Sequence, residues 1–366
     1  MRVLGFMSGT SLDGVDAAII ETDGVTVIEF GPALLLPFTT EERSILVSAT
    51  EDAVLRDGRG ETPAVSGAAA QVVLDAHVRA AEQLRAEDGG DLDLVGFHGQ
   101  TVLHRPERRL TIQLGDPSAL ADALGVPVVA NLRQMDLAAG GQGAPIVPAY
   151  HAALADRIGA ERPIAFLNLG GVANLTWLGR DGEMIAFDTG PANGLVDLAV
   201  QARGLGRYDD GGRYAAAGHV DAGALSSLLN SPYFHRAGAK SLDRYDFSLD
   251  AVTSLSIEDA AATLTAFTAE TVGLAADQLP SAPGRWVICG GGRHNPTMMR
   301  ALADRVGRCD TADALGLRGD FIEAEAIAFL AARSVAGLPI TFPGTTGVPH
   351  PMTGGERFGI SQEKTA

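Results

Sequence analysis

Lysine is nearly missing from this chain of 366 residues: Lys240 and Lys364 are the only two, and arginine supplies the other cations. Coding bias accounts for that preference without a functional role. Basic residues are scarce altogether, 28 Lys+Arg against 45 Asp+Glu, which leaves a formal net charge of −17. A surface of that sign repels phosphodiester backbones and anionic lipid, and argues against nucleic-acid and membrane-surface roles. Cysteine is limited to Cys289 and Cys309, too few for a disulfide framework or a four-cysteine zinc site. Both are expected to stay reduced, in a cytoplasm. No uninterrupted apolar stretch approaches the ~18 residues that span a bilayer. The opening MRVLGFMSGTSLDG, with one Arg and a short apolar run before glycines and hydroxyls, does not read as a secretory signal.

What is present is a sizeable core and a repeated grammar. Hydrophobic residues make up 46% of the chain, and the length suggests about two domains at roughly 100–200 residues each. Residues 2–7 read as a strand, 8–14 as a Gly/Ser/Thr turn, 15–21 as a returning strand, and Thr22-Asp23-Gly24 as a hairpin into a strand at 25–30. A helical run over about 63–87 precedes a buried strand, 91–97, that ends at His98-Gly99-Gln100. The second half repeats the pattern with strands at 163–169, 172–178 and 183–187, a long helix at about 257–279, and a strand at 285–289 that ends in three glycines. The reading is two similar α/β halves, 1–137 and 138–366, hinged at Ala138–Gly143, with the Gly/Pro-rich tail after Pro343 packing back on the first half.

Five clusters carry candidate chemistry. Ser8-Gly9-Thr10-Ser11-Leu12-Asp13-Gly14, between two strands, offers converging backbone N–H groups to an anion; an ordinary hairpin accounts for the same residues. Gly170-Gly171-Val172-Ala173-Asn174 occupies the matching place in the second half, so that two such turns suit a polyphosphate. Walker spacing is absent, since Lys240-Ser241 lacks the glycine before it. Asp188, in FDTGPAN, is a carboxylate at a strand end, where an α/β fold presents a base. An aspartic protease needs two Asp-Thr-Gly loops and the chain has one, while a turn or cap role for Asp188 remains the bland alternative. His98 and Gln100 alternate at a strand end and suit sugar hydroxyls, with Asp116 and Arg133 adding an acceptor and a cation; no second His stands at zinc spacing. Gly290-Gly291-Gly292 removes side chains where a flat ring such as adenine approaches the backbone, or forms only a tight strand-to-helix turn.

Taken in order, GFMSGTSLDGVD (5–16), GFHGQT (96–101), IQLGD (112–116), GGQGAPIVP (140–148), LNLGGVANLT (167–176), FDTGPAN (187–193) and CGGGRHNP (289–296) resemble the anhydro-N-acetylmuramic acid kinases. The resemblance implies the actin, hexokinase and heat-shock ATPase fold: two ribonuclease-H-like domains with nucleotide and sugar in an interdomain cleft. It also implies homodimeric bacterial enzymes of cell-wall recycling. These use ATP and magnesium to open 1,6-anhydro-N-acetylmuramic acid with water and place the γ-phosphoryl group on oxygen 6. By position, Gly9, Thr10, Ser11, Leu12, Asp13, Gly14, Val15 and Asp16 match the family's ATP phosphate loop. Asp188 matches its catalytic base, and Glu323 falls on an acidic position near the sugar, where a helix N-terminal charge is the alternative. The magnesium carboxylate is left open between Asp13 and Asp16. Around 240–247 some relatives carry Thr-Gly-Arg-Glu in place of Leu-Asp-Arg-Tyr, but Lys240, Ser241 and Arg244 are retained and read as a basic contact. A simple hydroxyl-phosphorylating sugar kinase and a nucleotide-driven chaperone switch are the competing readings of the same fold.

Overall fold

The computed structural model describes residues 1–59, 64–236, 238, 240, 242 and 247–360. In chain order its strands are β1 (Arg2–Ser8), β2 (Gly14–Thr22), β3 (Val27–Pro37), β4 (Leu94–Arg105), β5 (Leu110–Leu114), β6 (Val128–Ala130), β7 (Ile164–Leu169), β8 (Val172–Leu178), β9 (Met184–Pro191), β10 (Trp286–Cys289), β11 (Cys309–Thr311) and β12 (Glu356–Phe358). They form two sheets in two compact units, one of Met1–Arg157 with the chain from Phe321 onward, the other of Ile158–Asp320.

The first unit orders its strands β12-β6-β4-β1-β2-β3, with β5 hairpinned onto β4. β1, β2 and β3 are antiparallel neighbours, whereas β1, β4 and β6 run parallel. Leu4, Phe6, Val15, Ile19 and Val95 alternate inward from this sheet onto Val73, Ala76, Ala80 and Leu84 of the helix Ala64–Asp88. That helix matches the sequence reading, whose Pro63 lies outside the described residues. The second unit repeats the topology as β11-β10-β7-β8-β9, again with three antiparallel strands followed by two parallel ones. Leu167, Leu175, Trp286 and Ile288 pack on Val272 of the helix Ile257–Ala276 and on Met298 and Leu302. The same order in both sheets is the ribonuclease-H-like arrangement implied by the resemblance, in a mixed α/β protein.

The units divide the chain elsewhere than at 137/138. Residues 138–157 stay with the first unit, and the chain returns to it at Phe321. Two glycines explain the return. Gly5 and Gly96 sit opposite each other on β1 and β4; a Cβ on either would lie 2.0 Å from the Ala324 carbonyl oxygen or 2.4 Å from that of Ile327. The helix Ile322–Val335 therefore rests directly on the backbone of the first sheet, and β12 adds an antiparallel edge to β6.

Candidate functional site

In the first unit the β1–β2 loop is a turn closed by the Leu12 N–H on the Gly9 carbonyl at 3.2 Å. Leu12 takes a positive φ of 56° and buries its side chain in the core, as Val15 does; neither offers a side chain to a ligand. Thr10, Ser11 and Asp13 are exposed. A Cβ on Gly9 would meet nothing nearer than Ser11 Oγ at 3.7 Å, so the backbone there is open to an approaching group. Behind the loop, Gln100 Nε2 donates to the Gly9 carbonyl at 3.1 Å, while Gln100 Oε1 and Ser8 Oγ are buried without a hydrogen-bond partner among the described residues.

His98 and Gln100 do not project as a pair. β4 continues to Arg105, and its pairing with β1 shifts between Phe6 and Ser8. Gly99, at φ +73°, absorbs the extra residue and breaks the alternation expected of a regular strand. Gln100 consequently turns to the β1–β2 loop, and His98 to Arg133. The His98 Nδ1–H donates to the Gly99 carbonyl at 2.8 Å, and its Nε2 accepts from Arg133 Nε at 2.9 Å. Burial first, and the Arg133 charge second, push His98 down to about 3, so the ring is neutral. Arg133 also donates through Nη1 to the Gly143 carbonyl at 2.6 Å. Asp136 accepts from Gly143 N and Thr346 Oγ1, each at 2.6 Å, and so holds the 140–143 loop that Arg133 touches. Glu323, in the first turn of the helix Ile322–Val335, is held above the usual carboxylate range by burial and drawn back by the Arg133 charge. Asp116 serves locally: its Oδ1 caps the helix Pro117–Leu124 by accepting from Ser118 N and Ala119 N.

In the second unit three polar side chains line up across the sheet. Asn168 on β7 pairs with Asn174 on β8, which pairs with Asp188 on β9; directly opposed residues share a face. Asn168 was not among the expected site residues, although an Asn inside the apolar run IAFLNL marks it. The register slips just beyond, between Ala173 and Asn174, and leaves Thr189 as the bulged residue next to Asp188. β9 is the edge strand of its sheet. The Asp188 N–H donates to the Lys240 carbonyl at 3.0 Å, its carbonyl accepts from Tyr233 Oη at 2.6 Å, and its Oδ2 accepts from Leu242 N at 2.8 Å. Burial pushes the Asp188 carboxyl up to about 7, with the Leu242 N–H pulling the other way. Lys240 points inward rather than serving as an outward basic contact, because its ammonium donates to the Arg236 carbonyl at 2.8 Å. Ser241 and Arg244, expected beside it, lie outside the described residues.

The glycine turns differ in what they are for. Gly170 and Gly171 present carbonyls to the N–H groups of Ala192, Asn193 and Gly194 at 3.0–3.2 Å, and thereby seat the helix Asn193–Ala202. Asn193 is its first residue and donates from Nδ2 to the Leu169 carbonyl. Gly290 has φ +71°, and a Cβ there would lie 2.3 Å from Asn168 Oδ1; one on Gly292 would lie 2.6 Å from Leu169 Cβ. Packing alone demands glycine at both, whereas Gly291 opens onto free space. Arg293 stiffens this turn through Asp313 at 2.5 Å and Asp320 at 2.6 Å, a buried fork that sequence reasoning did not single out. Among the described residues no group of three or more His, Cys, Asp or Glu is placed to hold a metal ion. Among the described residues no helix is long and apolar enough to cross a membrane.

Comparison with known proteins places these features in context. A family model described as anhydro-N-acetylmuramic acid kinase matches residues 1–359. Proteins of that name from Caulobacter vibrioides and Phenylobacterium zucineum are each 53% identical, the first covering 98% of this chain and 99% of its own, the second 97% and 98%. One from Rhodospirillum rubrum is 49% identical over 96% of this chain and 92% of its own. Among solved structures, component A of (R)-2-hydroxyglutaryl-CoA dehydratase from Acidaminococcus fermentans is similar at a TM-score of 0.47 and 10% identity, covering 92% of this chain and 99% of its own. A ROK family glucokinase from Streptomyces griseus, in complex with glucose and AMPPNP, is similar at 0.40 and 13%, covering 91% and 100%. With the family model spanning nearly every residue, and relatives about half identical from end to end, the chain belongs to the anhydro-N-acetylmuramic acid kinase family.

Proposed function

We propose that this protein uses ATP to convert 1,6-anhydro-N-acetylmuramic acid into N-acetylmuramic acid 6-phosphate and ADP, as a step of cell-wall recycling. The observation that carries the reading is Asp188: not at a strand end as its sequence context suggested but within edge strand β9, beside the bulge at Thr189, it is a partly buried carboxylate with one oxygen engaged by the Leu242 N–H and its pKa raised to about 7. A base of that strength is half ionised near neutrality and accepts a proton from water more readily than an exposed carboxylate does. In the proposed reaction Asp188 takes a proton from water as the water oxygen bonds to the anomeric carbon. The bond from that carbon to oxygen 6 breaks, and oxygen 6 takes the γ-phosphoryl group as the bond between the γ-phosphorus and the bridging oxygen of ADP breaks and ADP leaves.

The remaining roles follow the chemistry of each cluster. Within the run Gly9 to Asp16, the open backbone at Gly9 and the hydroxyls of Thr10 and Ser11 are assigned to nucleotide phosphates, with Gly170, Gly171 and Asn174 as their counterparts in the second unit and the turn Gly290–Gly292, open at Gly291, as the approach for the adenine. Magnesium, when bound, would spread charge over the phosphates; Asp13 or Asp16 is the carboxylate proposed to orient it. Arg133, held by His98, and Glu323 are assigned to the sugar's polar groups, whereas Gln100 is assigned to the phosphate loop and Asp116 to its helix cap. A homodimer working in the cytoplasm completes the proposal. Purified protein given ATP, magnesium and the anhydro-sugar is expected to release ADP and a phosphorylated sugar of matching mass. Phosphorylation confined to sugars with a free hydroxyl in place of the anhydro bridge would point instead to a simple sugar kinase.

A further inference from the structure

Asp188 is the end residue of a longer arrangement. Both of its backbone polar groups face the outer edge of β9, where no further strand among the described residues pairs with it. The edge is covered by side chain and backbone from two places in the chain: the turn Pro232–His235, which brings Tyr233 Oη to the Asp188 carbonyl, and Lys240, whose carbonyl takes the Asp188 N–H. Lys240 also joins those two places. Its ammonium donates to the Arg236 carbonyl at 2.8 Å and, more weakly, to that of Tyr233 at 3.4 Å. The same ammonium lies 4.9 Å from the centre of the Tyr233 ring and 5.1 Å from that of Phe187, the residue before Asp188. Those distances fall within the cation–π range of about 6 Å. Lys240 is only 5% exposed, and burial of an ammonium is costly unless its donors are satisfied. Two carbonyls and two ring faces around a compact point charge suit lysine better than the wide fork of arginine.

We propose that Lys240 and Tyr233 are positioning residues for Asp188: they fasten the cover of the β9 edge and so hold the Leu242 N–H that engages one carboxylate oxygen and leaves the other for the reacting water. This rests on Asp188 acting as the base. The test compares Lys240→Met, which keeps most of the stem but removes the charge, with Tyr233→Phe, which removes one hydroxyl, and with Asp188→Asn. For each, kcat and the KM values for ATP and the anhydro-sugar are measured along with thermal unfolding. Misplacing a catalytic group by a fraction of an ångström to an ångström costs about 10- to 100-fold in rate. Lys240→Met is expected to lose that much in kcat and Tyr233→Phe about tenfold, both KM values staying within about twofold. Wild-type kcat in both variants, with Asp188→Asn inactive, overturns the inference. So does a raised KM with kcat unchanged, which would make these residues part of substrate binding. If Lys240→Met does not fold, Tyr233→Phe decides alone. Full turnover by Asp188→Asn would remove the base assignment itself, and the inference with it.

Discussion

Asp188 shows how one position is loaded with opposing demands. Its carboxyl is pushed up to about 7 because burial disfavours the charge, so the folded protein binds that proton more tightly than the unfolded chain, where the value is near 3.9. The associated stability is complete below the unfolded value and is lost as pH rises through about 7. Asp188→Asn keeps an acceptor for Leu242 and removes the charge. It is therefore expected to raise the melting temperature at pH 8 relative to wild type while lowering turnover by about 10²–10⁴-fold. A melting temperature that falls at pH 8 would show that the buried charge is not a burden there. In the wild type, log kcat is expected to climb with pH until about 7 and then level, and a flat profile from pH 5 to 8 would contradict the assigned base. Asp188 was legible as a carboxylate within FDTGPAN, whereas Lys240 was not legible as inward-facing, since charge alone does not say which way a side chain turns. Asp116 read as a ligand and caps a helix, because Asp before Pro serves equally well as an N-cap.

Among the elements, the helix Ile322–Val335 is specified by absences on the strands beneath it. Gly96→Ala would drive a methyl to 2.4 Å from the Ile327 carbonyl oxygen, a backbone atom that has no rotamer by which to retreat. Overpacking of this kind costs about 1–3 kcal/mol, and the melting temperature should fall by several degrees; an unchanged value would mean that the helix shifts at no cost. The short apolar runs of β1, β2, β7 and β8, bounded by glycine turns, were readable because these strands are buried along most of their length on both faces. The helix Thr40–Leu55 was passed over, although its Thr39–Glu42 capping box, with bonds of 2.8 and 3.2 Å, stands in the sequence as Thr-Thr-Glu-Glu. The bulge at Gly99 was not readable. It depends on the pairing of β4 with β1, residues far apart in the chain, and it alone separates the roles of His98 and Gln100.

At the scale of the molecule, the repeated strand order was legible as a repeated grammar, but the points where the chain passes between units were not. Assigning residues 138–157 and the helix Ile322–Val335 to the first unit depends on packing partners more than a hundred residues away. The first unit also concentrates buried neutral histidines: burial pushes His77 and His104 down to about 4, and His98 and His151 to about 3. The unfolded chain binds protons at these sites near pH 6.5, so the stability they contribute is full above that value and is lost as pH falls toward 4. Hydrogen exchange, corrected for intrinsic rates, should show protection in residues 1–157 dropping between pH 7 and pH 5 more than in the second unit, where acidification relieves Asp188. Equal loss in both units would contradict this. The central claim, that water opens the sugar while oxygen 6 is phosphorylated, is tested most directly by running the reaction in oxygen-18 water and reading the product mass. The expected product is a phosphorylated sugar carrying one heavy oxygen at the anomeric carbon, and a phosphorylated product without it would contradict ring opening by water.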